Sequence, residues 1–346
     1  MRFDRDCFGD ALLAISSISI WVYAVDGAPL ESTASWASPS QYLNRGTMSA
    51  TEGLFPSIDR IEVDPAAIKG YTRESQFVGL AFNLLREAAS YVCVAACTLG
   101  SEPTWNRDQA AVGGNMVRLY KLLSAFLDQT MQDRRETGDI ISRLAYETIV
   151  NVRYMVAHFS PTLIDSYIRH SLRHERRLQD TIETNVADRG GEILPIEHRM
   201  LKSLDRAAKV AGVTLDTVDL KDKGPWGGKN LRQKAQEVGL DDAYFAVFGG
   251  MSHGVHGAWQ DIYQSHLKTD GDGTFTPKLE WDQPRPQTQF LLALISLDAV
   301  HDFFGFIGGD AALDQVRDPL EDLRARVNIA DEAHESYLVG KTWPEV

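Results

Sequence analysis

The sequence predicts an all-α protein, a multi-helix bundle with one short strand or flap near residues 274–281. Three observations carry this. Apolar residues recur at three-and-four spacing from Thr72 onward. Strand-period alternation is nearly absent, and the periodic stretches end at Gly or Pro signals. The first helix spans 76–99, closed by Gly100 with Pro103 beyond it. The next, 108–132, presents Val112, Met116, Leu119, Leu123 and Phe126 on one face. A third covers 138–159 and stops at Ser160–Pro161. Residues 162–188 read as one long helix halted by Gly190–Gly191, and 197–211 as a shorter one ended by Gly212. After the loop KDKGPWGGK come helices at 230–238, 242–267, 287–307 and 313–337. Only TFTPKLEW, 274–281, has the composition of a strand. No internal repeat is present. The expected organisation is an N-terminal arm or linker (1–70), a helical core domain (71–310) and a C-terminal helix with tail (311–346).

Composition narrows the function classes. A net charge of −13 and a pI near 5.2 argue against a nucleic-acid coat protein, because phosphate repels an acidic surface. Three cysteines (Cys7, Cys93, Cys97) are too few for a disulfide scaffold and point to a reducing cytoplasm. Cys93 and Cys97, one turn apart in an apolar helix, read as core residues. No membrane segment is expected. The best candidate, ALLAISSISIWVYAV at 11–25, is shorter than the ~20 residues a bilayer needs. Residues 26–60 are rich in Ser, Pro, Gly, Ala and Thr and read as linker, so Met48 is a sensible alternative start.

Two stretches carry polar residues that a buried helix has little use for. In RLAYETIVNVRYMVAH (143–158), Glu147, Asn151 and His158 fall within roughly 40° on a helix. In MSHGVHGAW (251–259), Ser252 and His256 stand four apart with His253 beside them. Inward polar groups must be hydrogen-bonded. A polar cavity lined by Arg143, Glu147, Asn151, Ser252 and His256 is therefore expected, with Glu147 and Asn151 within reach of Ser252 or His256.

The run Arg143-x3-Glu147-x3-Asn151-x2-Tyr154, then Trp226-x5-Arg232, Gly239, Tyr244 and Ser252-x3-His256-Gly257, resembles a group of bacterial helical proteins catalogued only as a domain of unknown function. The resemblance spans about 76–306. That helical layout is in turn similar to the HEPN class of ribonucleases and toxin or antiphage effectors. These use an Arg followed four to six residues later by His, often across a dimer interface. Arg153-x4-His158 and Arg169-x4-His174 match the spacing. The resemblance implies a metal-independent endoribonuclease or toxin-type effector in stress or phage defence. Arg153 and His158 would be its catalytic pair, as a cation for the transition state and a proton carrier. RNA would be its ligand and a homodimer its state. Loss of either side chain would then leave the melting temperature nearly unchanged. The other reading makes Arg153 a surface residue and His158 a helix cap. The chain is then a non-catalytic helical module with a buried polar network, binding a partner protein or small ligand.

Arg169, Arg173 and Arg177 recur at every fourth position as the most basic patch of the chain. The patch either faces phosphate or pairs with the acidic C-terminal helix carrying Asp318, Glu321, Asp322, Asp331, Glu332 and Glu335. No metal or other cofactor is expected. His253-x2-His256 with Glu147 lacks the Glu-x-x-His units that helical metal proteins supply. Asp270-Gly271-Asp272-Gly273 has Lys268 and Leu279 where an EF-hand needs ligands, and reads as a turn. Gly113–Gly114 and Gly249–Gly250 follow no strand, so neither is a phosphate loop. Ser252–His256 lacks the strained elbow and oxyanion hole of a nucleophile site.

Overall fold

Local capping sets most helix starts in the computed structural model, which describes residues 2–3, 58–271 and 273–342. After a single turn, α1 (Pro65–Ile68), the bundle is built from α2 (Glu74–Ala96), α3 (Arg107–Met131) and α4 (Arg135–Ala157). At the head of α3 the Asn106 side chain accepts from Gln109 N–H, and the Gln109 side chain returns the bond. Ser160 caps α5 (Pro161–Ser171), with Pro at its first position. Next come α6 (Arg173–Asp188), α7 (Pro195–Ala211), α8 (Leu231–Glu237) and α9 (Gly250–His256). The long helices α10 (Pro286–Asp314) and α11 (Arg317–Val339) complete the chain.

α10 lies in the middle of the bundle, packed on α2, α4 and α11, and α3 closes the far side against α2 and α4. Leu84, Leu85, Met116, Leu123, Tyr146, Ile149, Phe290, Phe303 and Phe304 are fully buried there. Each such side chain contributes about 1.5–3 kcal/mol by leaving water. α2 and α10 are long and apolar enough to cross a membrane, whereas the 11–25 stretch lies outside the described residues. However, 67% and 61% of their most apolar windows are buried inside the protein, as in core helices. Cys93 and Cys97 are buried in the same core. A smaller second core of Leu172, Ile182, Leu204, Ala208, Val213 and Leu215 sits under α6 and α7.

The all-α class and the strand flap are as the sequence predicts, and the departures are local. The 162–188 stretch is two helices, because Leu172 (φ −78°, ψ 0°) opens the turn and its side chain joins the second core. The first helix ends at Ala96. Thr98–Gly100 (β2) then pairs antiparallel with Arg2–Phe3 (β1). Gly100 adopts φ +82°, and a Cβ there would lie 2.7 Å from the Ile307 carbonyl oxygen. The continuous helix expected over 242–267 is broken into short turns, with π-helical segments at Tyr244–Gly249 and Ile262–His266. Leu267–Thr269 (β3) then pairs with Phe275–Pro277 (β4) across the Asp270–Gly273 turn. The last part of the arm is not loose: Ile58, Ile61 and Val63 pack on the main core. α11 also belongs to that core, through Leu320, Leu323, Val327 and Ala330. Cys7, Met48 and most of the arm lie outside the described residues.

Candidate functional site

The face of α4 that carries Arg143, Glu147, Asn151, Tyr154 and His158 spans about 80° of the helix. α8, the 244–249 segment and α9 lie against α4. At the N-terminal end, Arg143 Nε donates to Ser252 Oγ at 3.1 Å, joining positions 109 apart in the sequence. Its guanidinium also lies 4.3 Å from the centre of the Phe248 ring. Ser252 in turn donates to the Phe248 carbonyl. Behind this contact Tyr146 donates to the Leu240 carbonyl at 2.8 Å, and its ring meets Tyr244 and Phe248. Burial pushes the Tyr146 phenol up.

Further along the stripe, Lys234 of α8 is the least expected group. It is 2% exposed, with its ammonium 3.2 Å from the centre of the Trp226 ring and 5.6 Å from that of Tyr154. Burial pushes it down to about 7, and the nearby Glu147 charge opposes that shift only in part. Trp226 is wedged edge-on between Tyr154 and Tyr167. At the C-terminal end, His158 Nε2 stands 3.0 Å from Glu237, with the ring against Tyr154. Lys229 pairs with the same Glu237, and that bond first, then His158, holds the carboxyl below its ordinary range.

The two stretches singled out in the sequence do meet, but through Arg143 and Ser252. Glu147 and Asn151 make no hydrogen bond to Ser252 or His256, and His256 is exposed at the end of α9. In place of an open cavity lined by all five residues stands a packed seam. Phe248 and Trp226 fill the space beneath the two cations. A concavity of about 470 Å³ lies elsewhere, between α7 and the 213–216 segment.

Arg153 and His158 are parted. Five residues separate them, about 140° around the helix, so they engage different neighbours. Arg153 donates to Asp302 at 2.8 Å and to Asp298 at 3.1 Å, both on α10. Arg153→Ala is therefore expected to lower stability by about 1–3 kcal/mol, because it strips two partly buried carboxylates of a donor. A denaturant melt checks this. The unchanged melting temperature expected for a surface residue would show that the pair is solvated.

The basic patch is divided as well. Arg169 on α5 binds Asp165 and Thr217, and Arg173 on α6 binds Asp222 and the Gly224 carbonyl. Arg177 is exposed, as is His174. The carboxylate for Arg169 comes from its own helix and that for Arg173 from the 216–222 loop, not from the C-terminal helix, whose Asp322 instead binds Arg60 and Arg326. The sequence did hold a signal for Lys234, which shares an apolar stripe with Leu231, Ala235 and Val238. It held another for Arg153: Asp298 and Asp302 stand one turn apart in the middle of a largely apolar helix.

Residues 109–274 match the Family of unknown function (DUF5677), just under half of the chain. No curated protein and no solved structure matches it. The matched stretch runs from α3 to the β3–β4 turn. It thus holds the whole α4 seam, Lys234 and Ser252, and what the chain is similar to carries no established activity.

Proposed function

We propose that the chain is a non-catalytic helical binding module that pairs with a second copy of itself through the aromatic face of the 245–281 segment. One observation carries this reading. Phe275, Trp281, Phe245 and Trp259 are exposed by 44%, 51%, 57% and 63%, all on that one segment. Exposed aromatic clusters mark binding faces, where one large ring buries much apolar area. Trp259 and Phe275 already meet edge-on at 5.7 Å. Arg134 and Arg232 stand over Trp281 and Phe245. The segment carries Asp261, with Asp241 and Asp242 just before it, so a two-fold axis can set opposite charges against one another. On this reading the α4 seam is the mount: Arg143, Tyr146 and Ser252 hold the segment in place.

His158 favours a second reading. It is half exposed and sits beside Glu237, as a proton carrier would be. A HEPN-like, metal-independent ribonuclease, acting as a toxin or phage-defence effector, would use it with Arg153, and Arg177 would face the RNA. Sedimentation of wild type and of Trp259→Ser with Trp281→Ser separates the two. A wild-type dimer, a monomeric variant with unchanged melting and intact RNA in excess chelator are the expected results. A monomeric wild type at tens of micromolar would overturn the pairing. RNA cleavage lost in His158→Ala would establish the nuclease instead.

A further inference from the structure

A second cluster lies outside the α4 seam, on α11. Asp331, His334 and Glu335 occur at i, i+3 and i+4, within about 100° of one helix face. One ligand atom from each lies within 4.8 Å of the others. His334 is the independent observation. It is 0% exposed, and neither of its ring nitrogens has a hydrogen-bond partner. A buried imidazole ordinarily satisfies at least one nitrogen, because leaving both unmade forfeits its hydration without return. Phe77 at 5.0 Å and Tyr337 at 6.2 Å hold the ring in place. Glu74, at the start of α2, brings Oε1 to 4.0 Å from His334 Nε2, too far for a hydrogen bond. Its other oxygen takes Lys341 at 2.6 Å.

We propose that Asp331, His334 and Glu335 form a site for a divalent transition-metal ion of the zinc type, with Glu74 as its neighbour across the helix junction. One imidazole and two carboxylates suit such an ion, whereas magnesium and calcium take oxygen ligands alone. Ligands ~2.1 Å from a tetrahedral ion stand about 3.4 Å apart, so rotation of the two carboxylates closes the site without moving the helix. Glu335 is exposed and Asp331 partly so, which gives the ion a path from solvent. Asp331-x2-His334-Glu335 departs from the Glu-x-x-His unit of helical metal proteins, so its spacing alone carries no metal signal. The ion would tie the C-terminal helix to the start of α2.

The test uses the full chain stripped with a chelator and titrated with Zn²⁺ alone, read by calorimetry and by melting. One Zn²⁺ per chain and a higher melting temperature are expected. Asp331→Asn and Glu335→Gln should each weaken binding about tenfold or more, while the metal-free melt stays at the wild-type value. His334→Phe, a ring that fits the aromatic nest, should abolish binding and still fold. Excess Mg²⁺ or Ca²⁺ should not compete. Stripped wild type that binds no Zn²⁺, or binding untouched by the two carboxylate changes, would overturn the proposal. So would binding that disappears instead in His253→Ala with His256→Ala.

Discussion

Arg326→Leu is expected to destabilise the protein by about 3–5 kcal/mol, the cost of leaving one member of a buried ion pair without the other. Arg326 and Glu87 are 5% and 3% exposed, and they meet in a two-pronged contact at 2.8 and 2.6 Å. The pair also holds the end of the arm. Glu87 accepts from the Ile61 N–H at 2.8 Å, and Arg326 donates to the Ile61 carbonyl at 2.7 Å. Removing the guanidinium therefore strands a carboxylate inside the bundle and frees a backbone carbonyl. Urea unfolding should show a lower midpoint with an unchanged slope. Adding Glu87→Met should recover a large part of the loss, since no uncompensated charge is then left. A single change costing under about 0.5 kcal/mol would mean that water reaches the pair.

Lys234→Met should do the opposite, stabilising the protein by about 2–4 kcal/mol near pH 6, with the gain fading toward pH 10. The reason is linkage. Burial pushes Lys234 from 10.5 down to about 7 in the folded chain. Between those values the unfolded chain holds a proton that the folded chain has released, so wild-type stability rises with pH across that window. Below about 7 both states are protonated, and the full penalty of the buried charge remains. Methionine of similar length carries no such penalty, though it gives up a cation–π contact worth ~0.5–2 kcal/mol against Trp226. Melts of both proteins at several pH values decide the matter. Parallel stability curves for the two would mean that Lys234 reaches solvent and titrates normally.

Both effects concern charged residues inside the fold; the sequence marks Lys234 only by its apolar stripe and the Arg326–Glu87 pair not at all. Glu87 and Arg326 stand 239 positions apart, and nothing near either names the other. Arg143 and Ser252 both read as inward polar residues, and the structure joins them. Periodicity could say that each faced inward, but not which would be the other's donor. Arg153 illustrates the same limit. Its spacing to His158 looked like a catalytic pair, yet five helical residues rotate the two side chains onto different neighbours. Asp298 and Asp302 then take the guanidinium.

What the sequence determined alone was the helical class, most helix ends and the strand flap. Asn106 with Gln109, Pro161, Pro195, Gly212 and Pro286 act within four residues of where they stand, so their effect is written locally. Tertiary structure decided the break at Leu172, the π-helical turns after Tyr244 and the rings that Lys234 meets, Trp226 and Tyr154. It also decided the division of the Arg169–Arg177 patch, in which Arg173 turns to the loop carboxylate Asp222 and Arg177 stays exposed. Each of these is set by contacts between elements far apart in the chain. Those energies depend on distance and burial after packing, and no local signal carries them.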